Sequence, residues 1–389
     1  MKSLSVFTTV LLLTITAFNT LSPTNTKPRA RDKVLTATTA EPRIQAAILL
    51  DVSNSMDGLI EQAKAQLWNM VSVMGKAKCE NGVPKIEIAL YEYGRPADDV
   101  KTGYIKQISA FTSDLDHLSQ ELFKLTTNGG DEYCGHVIYT SLNELSWDTA
   151  SSNYKVIFIA GNEDFLQGDI IYTQSCMEAK KKGVIVNTIY CGPKEMGIRE
   201  HWNLGSECGS GSFTNIDQNA RIEDIPTPYD STLVVLNGKL NNTYLVYGYA
   251  GDMNKIQQVR VDNLNFGYST SVAAKRTAVK ANKQLYNNSV WDLVDAAERD
   301  SSFIAKVDMK TLPDSLKNKT RAELKQIVNT KTTKRNLIQK EILTLNTQRE
   351  TYIAAEKAKA AGNKNTVTLE TEVERIIKAQ AKRFNMIIE

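Results

Sequence analysis

Asp51, Ser53 and Ser55 set a carboxylate and two hydroxyls at alternate positions of one short segment. The apolar run Ile44–Val52 leads into them, so they fall on the loop that leaves a strand, where all three can point at one spot. Hard oxygen donors of this kind suit Mg²⁺, Mn²⁺ or Ca²⁺. Gly58 and a helical segment follow, which brings backbone N–H groups close by. The same Asp and Ser also read as an N-cap for that helix. Their place at the end of a buried first strand is what favours cation binding over capping.

Other residue types that carry chemistry are weaker. Glu92 and Glu132 are two carboxylates suited to one rim, either for acid–base work or to bind a cation such as Arg199. Tyr91, Tyr93 and Tyr133 read equally as a binding face and as strand-edge packing. His117, His136 and His201 lack metal-ligand spacing, and His136 lies close to the presumed cation loop. There is no Gly-x-Ser-x-Gly and no phosphate-binding loop, so no enzyme class is assigned. The five cysteines, Cys79, Cys134, Cys176, Cys191 and Cys208, show no zinc-type pairing. In an oxidising compartment they allow one or two disulfides with a thiol left over. Connectivity is open, and Cys191 reads as a small buried hydrophobe.

Elements that position Asp51 alternate between strand and helix. Ile44–Val52, Lys155–Ala160 and Val184–Tyr190 are mainly apolar runs, the pattern of strands buried on both faces. Lys85–Tyr93, Tyr104–Phe111 and Ser212–Ile216 read as further strands. Gly58–Lys78, Leu115–Leu125, His136–Leu145 and Ile170–Lys182 read as helices between them. This order predicts an α/β fold, a doubly wound and mainly parallel sheet with helices on both faces. Ligands bind such sheets at the carboxyl ends of the strands, where Asp51 lies.

After Pro226–Pro228 the character changes. Thr243–Tyr249 reads as a strand, Gly251–Gly267 as polar and ambiguous, and Ala273–Asp300 as helix. Arg321 to Lys359 is a long amphipathic segment whose apolar seam is interrupted by Lys331, Arg335 and Arg349. After a break at Gly362–Asn363, Leu369, Val373, Ile376 and Ile377 begin a second helix. The two segments predict a helical hairpin or short coiled coil, packed on the body or on another copy.

Of 389 residues, 42% are hydrophobic and 23% charged, with a formal net charge of +3. That balance gives no argument for nucleic acid. The tail from 314 to 389 carries sixteen Lys and Arg against nine Asp and Glu, whereas the rest of the chain is net acidic. A basic helical tail suits a solvated face, an acidic partner or an anionic membrane surface. Lys2 followed by the apolar run Val6–Phe18 has the shape of an export signal, too short for a comfortable membrane span. The organisation expected is a signal or anchor over 1–20, a flexible linker over 21–42, an α/β domain over 43–225, a mixed, mainly helical region over 226–313 and a basic helical hairpin over 314–389. An exported protein of the periplasm or cell envelope follows from the first of these.

With these elements in place, the chain resembles the von Willebrand factor A (VWA) family, over about Ile44 to Ile225. That family's metal-ion-dependent adhesion site uses D-x-S-x-S, then a Thr or Asp in a Gly-rich loop, then an Asp after the central strand. Asp51, Ser53 and Ser55 match the first element in full. Thr126-Thr127-Asn128-Gly129-Gly130-Asp131-Glu132 resembles the second, with Asp131 at the ligand position and Thr127 as its rival. The third departs: in Phe158-Ile159-Ala160-Gly161-Asn162-Glu163-Asp164, Gly161 stands where the Asp belongs. Either Glu163 or Asp164 reaches in, or water fills the place, or metal binding is weak. Ala89–Gly94, Gly129–Gly135 and Phe158–Glu163 further resemble exported, uncharacterised VWA proteins of Bacteroidetes-type bacteria.

The resemblance implies a divalent cation, Mg²⁺ first and Mn²⁺ or Ca²⁺ as alternatives. It also implies a partner protein whose carboxylate completes the cation's shell, with Glu132, Tyr133 and Asn162 on the partner-facing rim. Three functions compete. The first is a metal-dependent docking or adhesion module. The second is a scaffold with a degenerate metal site, assembling through its C-terminal helices. The third, least supported, is a hydrolase using the metal to activate water.

Overall fold

β-branched and aliphatic runs become the strands of one six-stranded sheet in this computed structural model, which describes residues 41–80, 82–217, 225–360 and 369–388. The elements of its first part are β1 (Arg43–Asp51), α1 (Asp57–Met74), β2 (Ala77–Lys78), β3 (Lys85–Tyr93), β4 (Ile105–Thr112), α2 (Leu115–Lys124), α3 (Cys134–Glu144), β5 (Tyr154–Gly161), α4 (Tyr172–Lys182), β6 (Ile185–Cys191), α5 (Lys194–Arg199), α6 (Trp202–Cys208) and β7 (Ser210–Ile216). The expected export signal and most of the expected linker fall outside the described residues.

The strand order is β4-β3-β1-β5-β6-β7. All neighbours run parallel except the edge strand β4, which is antiparallel to β3. β1 is central because it is apolar on both sides. Ala46 and Leu50 face a core closed by α1 and α2, while Ala47 and Leu49 face one closed by α3, α4 and α6. Two-sided burial of this kind is what a continuous Val/Ile/Leu run specifies. The doubly wound α/β sheet expected from the sequence is therefore present.

The second part is helical: α7 (Asp230–Asn241), α8 (Gly251–Tyr268), α9 (Thr270–Ala281), α10 (Leu293–Arg299), α11 (Phe303–Lys306), α12 (Asp314–Lys317), α13 (Arg321–Ala360) and α14 (Leu369–Ala381), with β8 (Ile387–Ile388) at the end. Between 243 and 249 the expected strand is reduced to a single bridge, Val246 with Asp292, because no neighbouring strand offers a ladder. The ambiguous stretch 251–267 is helix, and the expected helix 273–300 is split into α9 and α10.

Where the sequence reads one basic helical hairpin over 314–389, the structure divides it. α13 packs on α7, α9 and α10, whereas α14 packs on α1 and β7. Leu369, Val373, Ile376, Ile377 and Ala381 enter the same core as Leu50 and Phe158. Gln380 donates from Nε2 to Asn187 Oδ1 at 2.6 Å and accepts from the Tyr154 hydroxyl at 2.9 Å, so the helix is keyed to β5 and β6 by buried polar bonds. β8 then pairs antiparallel with β2. The helices between β7 and α14 are thus an insertion, and residues 41–389 form one compact unit.

Buried charge ties the insertion to the helices that cover one face of the sheet. Arg276 of α9 donates to Asp116 of α2 and to Asp262 of α8, each at 2.6 Å, and lies 4.8 Å over the Trp68 ring of α1. The arginines that interrupt the α13 seam are buried ion-pair partners: Arg335 meets Asp292 and Asp295, and Arg349 meets Asp230. Among the described residues no helix is long and apolar enough to cross a membrane.

Candidate functional site

β1 delivers Asp51, fully buried, to the carboxyl end of the sheet. Its Oδ1 accepts the Ser53 N–H at 2.7 Å, which folds the next loop back over the carboxylate. Its Oδ2 is buried without a hydrogen-bond partner. A buried carboxylate oxygen left unpaired is costly, and such atoms call for an explanation. Burial pushes the Asp51 pKa up to about 6; the Ser53 bonds and, more weakly, the Asn162 backbone N–H oppose this, and the nearby Glu163 charge adds to it. Ser53 Oγ lies 3.3 Å from Ser55 Oγ, and the Ser55 hydroxyl donates to Asn162 Oδ1 at 3.2 Å. The hydroxyls of Ser53 and Ser55 and the amide oxygen of Asn162 thus form a chain of oxygens across the two loops that leave β1 and β5.

A second loop, 125–133, is pinned against the first. Asn128 N–H donates to the Val52 carbonyl at 2.7 Å, and Arg95 donates to the Thr126 carbonyl at 2.5 Å. Gly130 allows the approach, since a Cβ there would meet the Gly94 carbonyl oxygen at 2.4 Å. This loop turns Glu132, not Asp131, inward. Glu132 is 5% exposed, and a Cβ built on Gly94 would lie 3.6 Å from Glu132 Oε1 and 3.2 Å from Asp51 Oδ1. Burial, and then the charges of Asp51 and Glu163, raise the Glu132 pKa to about 8, against a bond from Ser53. Asp131 is exposed at the rim. The Thr127 hydroxyl donates to the carboxylate of Asp57 at the start of α1.

The third loop follows β5. A Cβ on Gly161 would sit 2.6 Å from the Tyr93 hydroxyl and 3.0 Å from Asp51 Oδ2. Position 161 thus does face the site, but the Tyr93 hydroxyl, bonded to the Ala160 carbonyl at 2.9 Å, fills the space an Asp would need. Glu163 is exposed, yet near enough for its charge to act on both Asp51 and Glu132. Asp164 turns away, accepting the Leu166 N–H and pairing with His201. Asn162 reaches Ser55, and Tyr133 lies on the rim against Tyr104, with ring centroids 5.6 Å apart.

Tyr91 and Tyr93 are buried and form no binding face. Glu92 is buried too, paired with Arg95 at 3.1 Å rather than with Arg199. The sequence reading missed the Tyr93 hydroxyl as a wall of the site and the inward turn of Glu132. The only sequence signal for the first was the loss of Asp at 161. Among the described residues no cluster of three or more His, Cys, Asp or Glu is close enough to hold a metal by those side chains alone. The donor set instead combines two carboxylates with serine hydroxyls, the hard-oxygen chemistry of Mg²⁺, Mn²⁺ or Ca²⁺. An unpaired buried carboxylate oxygen fits such a cation, which would supply its missing partner.

No protein-family model matches this sequence, and no curated protein matches it. Among solved structures the chain is similar to the SpRpn10 VWA domain, at 14% identity over 46% of this chain and 91% of that one, with a TM-score of 0.36. It is similar to proximal thread matrix protein 1 from the mussel byssus with a zinc-occupied MIDAS motif, at 14% identity over 45% and 42%, TM-score 0.35. It is also similar to an aerotolerance-related membrane protein from Bacteroides fragilis, at 15% identity over 45% and 92%, TM-score 0.31. The match spans about two-fifths of the mussel protein. The fold of the sheet is VWA-like on its own evidence: its strand order, its single antiparallel edge and D-x-S-x-S at the end of the central strand.

Proposed function

We propose that this chain is a docking module that binds a protein partner through a divalent cation held at Asp51, Ser53, Ser55 and Glu132. Mg²⁺ is the first choice, with Mn²⁺ and Ca²⁺ as alternatives. The observation that carries the reading is Asp51 Oδ2, buried and unpaired at the carboxyl end of the central strand. When bound, the cation supplies an open Lewis-acidic position for an Asp or Glu carboxylate of the partner. Asp51 and Glu132 provide negative charge, and the serine hydroxyls provide neutral oxygen. Asp131 and Glu163 add charge from the exposed rim, and Thr127 steadies the approach through Asp57. Asn162 and Tyr133 meet the partner. Gly161 leaves fewer protein charges on the ion, which strengthens its demand for an outside carboxylate.

An exported, cell-envelope setting is supported by the disulfide Cys176–Cys208, which joins α4 to the end of α6. Exposed Lys325, Lys334, Lys340 and Lys357 along α13 suit an acidic or anionic-lipid surface nearby. A pull-down from envelope extract tests the docking. A partner retained with Mg²⁺ and released by chelator, and not retained by Asp51→Ala, agrees with it. Retention indifferent to both contradicts it.

A second reading, a scaffold with a degenerate site, is favoured by Gly161. Because α14 fills a face of the sheet, deleting 314–389 cannot test that reading without unfolding the body. Chelator-insensitive assembly with Asp51→Ala intact is the result it requires.

A further inference from the structure

We propose that α8 forms the interface of a two-fold symmetric homodimer, with α8 of a second copy as its occupant. The helix is amphipathic the wrong way round for a free surface. Its buried side is mainly polar: around Val261, which enters the core, Gln258, Asp262 and Asn265 are held inward by Tyr286, by Arg276 with Lys280, and by Trp68. Its outer side is apolar, with Met253 67%, Ile256 61% and Phe266 54% exposed and Val259 beside them. Residues 252–253, 256, 259–260, 263 and 266 recur at three- and four-residue steps, so they share one stripe, apolar except for Asp252, Arg260 and Asn263. A contiguous exposed apolar stripe on a folded protein marks a contact surface.

The charges on the stripe select the partner. Asp252 and Arg260 are exposed and form no ion pair within the described residues. They lie four residues to either side of Ile256. When two α8 helices cross antiparallel about Ile256, each Asp252 meets the other copy's Arg260. Met253 meets Val259, and Ile256 meets its own symmetry mate. A two-fold interface requires such self-complementarity, residue i on j and j on i. The surface is separate from the C-terminal helices, where the sequence alone placed self-association. One helix pair is a small interface, so the dimer is weak, with Kd on the order of 10 μM.

Sedimentation velocity of the full chain across a concentration series tests this, with circular dichroism as the check on folding. A reversible monomer–dimer equilibrium is expected. Ile256→Glu, at an exposed position, abolishes it. Asp252→Arg raises Kd by about 5–10-fold, and the double swap Asp252→Arg with Arg260→Asp restores Kd to within about 3-fold. A chain that stays monomeric throughout, a dimer indifferent to Ile256→Glu, or a double swap that fails to restore association overturns the proposal. Retention of α8 on anionic or neutral lipid vesicles without self-association overturns it as well.

Discussion

Asp51, at the end of β1, and Glu132, on the loop before α3, approach the same point beside Gly94. One Cβ placed on Gly94 would be 3.2 Å from Asp51 Oδ1 and 2.9 Å from Glu132 Cγ. Neither group has a basic neighbour among the causes that set its pKa, and burial raises both. Two carboxyls so placed are an electrostatic debt of the cation-free fold, which a divalent ion bound between loops would relieve.

The first prediction separates Glu132 from Asp131. Glu132→Gln should weaken Mn²⁺ or Mg²⁺ binding by about tenfold or more, whereas Asp131→Asn, on the exposed rim, should change it by less than about threefold. Calorimetric titration of both variants measures this. The reverse order would restore Asp131 as the ligand that the sequence pattern suggests.

A second concerns Gly161. Gly161→Asp supplies the carboxylate the VWA pattern has there, but its Cβ runs into the Tyr93 hydroxyl. The substitution should cost about 1–3 kcal/mol of stability on overpacking alone. Adding Tyr93→Phe should recover part of that loss, a coupling that a double-mutant cycle of denaturant unfolding reads directly. Additive losses would show that Tyr93 is not the obstacle.

The buried charge network supplies a third. Arg276→Met leaves Asp116 and Asp262 without their guanidinium partner and should destabilise the fold by about 3–5 kcal/mol. The acid limb of stability carries the same signature. Burial alone would raise the Asp262 pKa, but Arg276 and then Lys280 outweigh it and hold the carboxyl below the ordinary aspartate range. A carboxyl depressed in the folded state binds fewer protons there than in the unfolded chain. Its stabilisation is therefore complete above the ordinary aspartate pKa near 4 and is lost as the pH falls below it. Unfolding followed from pH 6 to pH 2, a range set about that pKa, should show a shallower acid loss in Arg276→Met than in the native chain.

Cysteine chemistry gives a fourth. Cys176 and Cys208 are joined, Cys134 and Cys191 are buried, and Cys79 is half-buried. A thiol reagent on the native protein should label Cys79 first and the other two only on unfolding. With its ends 32 positions apart in sequence, the disulfide is worth about 3–4 kcal/mol by loop entropy, so Cys176→Ser should lower the unfolding midpoint measurably. Rapid native labelling of Cys134 would contradict the packing beneath the site.

Much of the sheet was legible because its central strands hold apolar stretches such as Ala46–Leu50 and Val156–Ala160, and because Asp51 ends the first of them. The helical insertion was harder to read for one reason seen several times. α8 hides Gln258, Asp262 and Asn265 and shows Ile256 and Phe266, so its periodicity points the wrong way. In α13, Arg335 and Arg349 sit in the buried seam, where pairing with Asp292, Asp295 and Asp230 makes burial tolerable. The spacing of Leu369, Val373, Ile376 and Ile377 announces an amphipathic helix but not its partner, which is a sheet more than 150 residues upstream. At the site, Asp131 and Glu132 are neighbours of like chemistry. Only the close approach of Gly130 to Gly94 decides which of them turns inward.

The most direct measurement is a titration of the full chain with Mn²⁺, followed by calorimetry, for the native protein and for Asp51→Asn. Asparagine keeps the acceptor for the Ser53 N–H and removes the charge from the buried, unpaired oxygen. The native chain should bind one ion saturably, and Asp51→Asn should bind none while melting in chelator at a temperature no lower than the native chain. No heat from either protein, or equal binding by both, would contradict a cation site at the end of the central strand.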